Sequence, residues 1–147
     1  MRWQITTCAL AAGALVALGL NTAVAQAPPG ASMGMVHELM RQPLADKPGT
    51  DVVVITVDYP PGGATPPHEH SGYTYAYVLE GTVVSQLDDQ PQQTFSAGQM
   101  WSELPHQHHM VSRNGSATAP ARLLVFFITP HGEKLTQFLP ASGGGKE

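Results

Sequence analysis

Cysteine is almost missing from this chain. The one copy, Cys8, lies inside an N-terminal stretch that reads as a removable leader. The rest therefore has neither disulfides nor thiolate metal ligands. Charge is also scarce: 12% of residues are Asp, Glu, Lys or Arg, with a formal net charge of -4. There is no basic patch interleaved with aromatics, which argues against a nucleic-acid partner. There is no basic amphipathic helix, which argues against a membrane-surface role once the leader is gone. The long alternating segments and aromatic girdles of a membrane barrel are missing too. No G-x-S-x-G elbow and no phosphate-cradling glycine loop is present, so nucleophilic and phosphoryl chemistry lack their usual frames. Helical periodicity is nearly absent; residues 35–40 are the best candidate for a turn or two, and 133–138 the next.

The leader reading rests on three features. Arg2 supplies a positive start, residues 8–20 are apolar but too short for a comfortable membrane span, and Ala23-Val24-Ala25 is an A-x-A cleavage signal. Cleavage is expected after Ala25, with Ala27 as the second choice, and the product is expected in the periplasm or outside the cell. Cys8 lacks the surroundings that lipid attachment needs. The expected organisation is a leader over 1–25, an N-terminal arm over 26–45, one domain over 46–140 and a flexible tail over 141–147.

What is there is mostly strand. Residues 51–59 form a β-branched run that Pro60-Pro61-Gly62-Gly63 ends. Further strands are expected over 74–79, 82–87, 93–95, 100–104, 110–112 and 121–129, with turns at Glu80-Gly81, at Asp88-Asp89-Gln90-Pro91, at Ala97-Gly98 and at Asn114-Gly115-Ser116. Short strands at regular spacing with such turns predict an all-β sandwich or barrel of the jelly-roll kind.

Five of the seven histidines fall into two clusters, His68 with His70, and His106 with His108 and His109. Histidines two apart on an extended segment project from one face of the pleat. Neutral imidazoles that converge on a point are a first-row metal site. Glu69 alternates away from the two histidines and is expected to face outward. His106 is either an extra ligand or a loop residue at the mouth. Glu80 reads as a hairpin-corner residue, and His37 and His131 as surface histidines. Tyr73, Tyr75 and Tyr77 read as packing or interface residues ahead of pocket lining, and Met100 and Trp101 are open in the same way.

The residues resemble those of the cupins. The first cupin motif (G, five residues, H-x-H, three or four residues, E, six residues, G) falls here on Gly62, His68, His70, Thr74 and Gly81. The second (G, five residues, P-x-G, two residues, H, three residues, N) falls on Gly98, Leu104, His106, His109 and, one residue late, Asn114. Three departures stand out. Thr74 occupies the glutamate position, the proline is displaced to Pro105, and His106 takes the glycine position. Counting from Gly98 selects His109 as the third histidine, with adjacent His108 as the alternative, since only one of two neighbours on a strand faces inward.

The resemblance implies a cupin-type double-stranded β-helix. It also implies one divalent transition metal held by His68, His70 and His109 (or His108). Without the carboxylate, an all-imidazole shell favours Fe, Cu, Ni or Zn over Mn. Thr74 is a poor neutral ligand and is expected to position a water. Glu103 is the nearest acid in sequence to the second cluster. It is a fourth ligand, a general base, or an outward solvated carboxylate, the last being the commonest fate of glutamate. Thr74 and Glu103 are thus the candidate catalytic residues. The expected function is an exported metal cupin acting on a small organic molecule, as an O2-dependent dioxygenase like the quercetin-type cupins or as an isomerase or decarboxylase. The alternatives are a non-catalytic binding module and a structural module. Apolar strands at both ends suggest a homodimer.

Overall fold

The computed structural model describes residues 31–140. The expected leader and tail lie outside the described residues. Within them the protein is all-β, with eleven strands and no helix. One sheet has the order β1-β2-β10-β5-β8, formed by β1 (Met35–Pro43), β2 (Thr50–Tyr59), β10 (Ala121–Pro130), β5 (Tyr73–Glu80) and β8 (Met100–Glu103). The facing sheet runs β11-β4-β9-β6-β7, with β3 also paired to β9. Its strands are β3 (Ala64–Thr65), β4 (His68–Glu69), β6 (Thr82–Leu87), β7 (Gln93–Ser96), β9 (His109–Asn114) and β11 (Gln137–Phe138). Every pairing is antiparallel.

The core lies between the sheets. Strand alternation turns Val53, Ile55, Val57 and Tyr59 of β2 inward, and Leu123, Val125 and Phe127 of β10 opposite them, with Val78, Val83 and Trp101 closing the packing. Each such side chain contributes about 1.5–3 kcal/mol on burial. The run in β10 looks continuously apolar, yet only alternate residues are fully buried; Phe126 is exposed.

Two segments correct the sequence reading. Residues 35–40 are not helical; they belong to β1, which pairs with β2 from Met35↔Asp58 to Pro43↔Asp51 around a bulge at Leu39. The free edge of β2 supplies a ladder that overrides a weak local preference. Residues 133–138 are not helical either. The chain turns at Gly132 and then runs into β11, whose Phe138 pairs with His68.

Gly81, the closing glycine of the first motif, has φ +71°, and a Cβ there would sit 2.5 Å from the Pro120 carbonyl oxygen. Only glycine fits both conditions. Asn114 is a clamp. Its Nδ2 donates to the carbonyls of Pro60 (3.0 Å) and Ala119 (2.8 Å), and its Oδ1 accepts from the Ser116 amide (2.8 Å). The motif asparagine therefore ties loops together at one end of the barrel.

Candidate metal centre

Three elements bring the histidines together. His68 lies on β4, directly opposite His109 of β9. His70 follows β4 on the same face, and the His106 amide donates to its carbonyl at 2.7 Å. All three imidazoles are buried, and one ring nitrogen from each lies within 4.8 Å of those of the other two. Among the described residues this is the one such group.

The rings are held by their other nitrogens. His68 Nδ1 donates to the Pro66 carbonyl at 2.7 Å and His70 Nδ1 to the Leu135 carbonyl at 2.6 Å. A carbonyl only accepts, so the proton sits on Nδ1 and the Nε2 lone pairs are free. Leu135 belongs to the segment after β10, so the chain's return strap orients a first-cluster histidine. His109 Nε2 shares a hydrogen bond with the Ser85 hydroxyl at 2.9 Å, and its Nδ1 lies 3.3 Å from Glu103 Oε1. Burial, reinforced by His109 and His70, holds His68 well below the usual imidazole value, at about 3. Burial lowers His70 too, against the pull of Glu103 and the Leu135 carbonyl. Both rings are neutral at physiological pH, the form that binds a metal.

Glu103 is not the outward glutamate that is commonest. It is 3% exposed, at the end of β8 and directly across the ladder from Thr74. The signal for this was the alternation along β8: with Trp101 inward, Glu103 shares its face. Its Oε1 accepts from the Trp101 indole at 2.9 Å. Its Oε2 has no hydrogen-bond partner and lies 3.7 Å from His70 Nε2. Burial pushes Glu103 up, but the hydrogen bond and charge of His109, together with His70 and Trp101, outweigh it and hold the carboxyl at about 2.

Thr74 is fully buried, and its hydroxyl donates to the Gly72 carbonyl at 3.4 Å. His108 lies on the surface, its side chain 52% exposed, so the structure brings His109 and not His108 to the other two. His106 and His108 instead flank Glu69, at 3.1 and 3.7 Å, outside the pocket. His106 has φ +59°, the left-handed conformation suited to the glycine of the motif. Tyr73, Tyr75, Tyr77 and Met100 are exposed on the outer face, while Trp101 is inside. Glu80 is exposed at its hairpin corner. His131 meets buried Asp51, and exposed His37 lies near Asp58.

The histidines, Thr74 and Glu103 line a cavity of about 70 Å3. Its walls include Ile55, Val57, Leu123, Val125 and Phe127, with the hydroxyls of Tyr59, Thr65 and Ser112. Three buried imidazoles and a carboxylate oxygen without a hydrogen-bond partner fit a divalent cation. The donor set is right for a first-row metal, and one buried oxygen of the carboxylate, Oε2, has no hydrogen-bond partner.

The family comparison settles the fold. The Cupin_2 family, described as a cupin domain, matches residues 55–127. The chain belongs to the cupin superfamily. Solved cupin-fold structures agree. The DMSP lyase DddQ from Ruegeria pomeroyi DSS-3 is 16% identical, with TM-score 0.60 over 76% of this chain and 54% of that one. A double-stranded β-helix protein from Klebsiella pneumoniae is 16% identical, with TM-score 0.57 over 75% and 90%. A recombinant oxalate oxidase in complex with glycolate is 23% identical, with TM-score 0.56 over 71% and 54%. The chain spans about half the length of the lyase and the oxidase. A search of curated protein sequences finds no match.

Proposed function

We propose that this cupin is an exported, mononuclear metal protein acting on a small organic molecule. The observation that carries the reading is the meeting of three buried imidazoles and the bare Glu103 oxygen in one cavity. A divalent transition metal, Fe, Cu, Ni or Zn, supplies Lewis acidity there, or redox capacity if the element permits, with coordination places left for a ligand.

The chain's own residues do the rest. The Pro66 and Leu135 carbonyls aim the lone pairs of His68 and His70. Apolar walls from β2 and β10 exclude bulk water. Tyr59 sits between Thr65 Oγ1 (2.5 Å) and Ser112 Oγ (3.0 Å), a chain of hydroxyls that orients an oxygen of the bound molecule. Thr74 and Glu103 border the same space and are the groups placed to handle a water or a proton. Because one water needs about 10–15 Å3 of such volume, a cavity of about 70 Å3 admits a ligand of only a few non-hydrogen atoms. An O2-dependent dioxygenase is one version of this chemistry, and an isomerase or decarboxylase another. That one structural neighbour is a lyase and another an oxidase supports an enzymatic reading.

A non-catalytic binding module is the second reading. It is favoured by the engagement of Thr74 with Gly72 and of Glu103 Oε1 with Trp101, which leaves few free groups for proton transfer. In either reading the protein pairs with a second copy through the open edge of β1, where Met35, Val36, Leu39 and Met40 are exposed. The test is metal-loaded protein assayed for turnover and O2 uptake on a panel of the smallest phenols and oxoacids. Turnover that His68→Ala/His70→Ala abolishes supports the enzyme. Bound metal without turnover supports the binding module. Metal content that the double variant leaves unchanged sinks both.

A further inference from the structure

Resting on the metal reading above, we infer that Glu103 supplies the carboxylate ligand that the first motif lacks, from the strand next door. The family pattern puts a glutamate where β5 here has Thr74. Thr74 and Glu103 are direct partners across the β5–β8 ladder. Opposite residues in an antiparallel pair share a face, with Cβ atoms about 5 Å apart. A glutamate moved across the ladder thus reaches the same space from a backbone one strand away.

Three observations point to a cation at this carboxylate. Its Oε1 is fixed by the Trp101 indole, so the group is aimed. Its Oε2 is buried without a partner, which is costly for a charged atom unless a cation completes it. The separations also suit a shared metal. Glu103 oxygens lie 3.3 Å from His109 Nδ1 and 3.7 Å from His70 Nε2. Neighbouring ligands around a metal at about 2.1 Å are about 3 Å apart. A proton on His70 or His109 is the competing cation; the His70 ring is buried with its Nδ1 already donating to Leu135, and His109 Nδ1 faces Oε1, which leaves Oε2 without a partner.

The consequence concerns the metal. With the carboxylate restored, the shell is three histidines and one acid, and Mn2+ is no longer disfavoured against Zn2+ on charge. The first motif alone implies an all-imidazole site; the carboxylate enters from β8, across the ladder from Thr74.

The test compares untagged wild type, Glu103→Gln and His68→Ala/His70→Ala after chelation, using Mn2+ titration read by electron paramagnetic resonance and the visible spectrum of the Co2+ form. Glutamine keeps the shape and can still accept from Trp101, so the fold is retained, and far-UV circular dichroism checks it. The expected result is Mn2+ affinity weakened at least about tenfold in Glu103→Gln, with a changed Co2+ spectrum. Adding Thr74→Glu to Glu103→Gln recovers Mn2+ affinity. Wild-type Mn2+ affinity and an unchanged Co2+ spectrum in Glu103→Gln, with metal lost in the histidine variant, overturn this inference alone. Equal metal binding by wild type and the histidine variant overturns the metal reading beneath it.

Discussion

Acid should destabilise the metal-free protein well above the pH at which carboxylates titrate. The cause is His68, which folding holds neutral by burial and by the neighbouring His109 and His70, with its value lowered from 6.5 to about 3. The unfolded chain takes up a proton near pH 6.5 and the folded one near pH 3, so the unfolded state binds more protons between these limits. Stability is therefore fully present above pH 6.5 and is lost progressively as pH falls towards 3. At 1.36 kcal/mol per unit the whole window is worth on the order of 4–5 kcal/mol. The part between pH 7 and pH 5 is about 2 kcal/mol. His70, also lowered, adds in the same direction. Urea unfolding of chelated protein followed by circular dichroism should show a midpoint about 1 M lower at pH 5 than at pH 7, given slopes of about 1–3 kcal/mol per molar. His68→Asn should remove much of that difference. Equal midpoints at both pH values in the wild type would refute the argument.

Other consequences follow from single contacts. Phe127 is 2% exposed and its ring meets that of His70 edge-on at 5.1 Å; Phe127→Ala should cost about 3–5 kcal/mol in chemical denaturation and loosen metal binding together with it. Ser85→Ala removes the hydroxyl at buried His109 Nε2; it should weaken metal affinity about 10–100-fold in competitive titration and lower stability by about 1–3 kcal/mol in thermal unfolding. His106→Gly should raise stability by about 1 kcal/mol in thermal unfolding, because it relieves a left-handed backbone at an exposed side chain.

The central strands were legible because they are long and β-branched. The runs expected over 51–59, 82–87 and 121–129 are Thr50–Tyr59, Thr82–Leu87 and Ala121–Pro130. Edge elements were not. Met35, Val36, Leu39 and Met40 are spaced as on a helix, but β1 is exposed on both faces, so no alternation marks it and only the ladder to β2 makes it a strand. The histidine pair was legible by its two-residue spacing, and His109 by its distance from Gly98. Glu103 stands out in the sequence as the acid nearest the second cluster, but the choice between an inward and a solvated side chain is not fixed there, because glutamate mostly faces solvent. Its position depends on the Thr74↔Glu103 register, which is a property of the sheet. The Leu135 contact to His70 spans 65 residues and leaves no local trace.

The most direct test is elemental analysis of untagged protein purified without chelator, beside His68→Ala/His70→Ala. The account predicts about one equivalent of a divalent transition metal in the wild type and its loss in the variant. Substoichiometric metal in both, even after reconstitution, would contradict it and leave the three histidines as packing residues of a metal-free barrel.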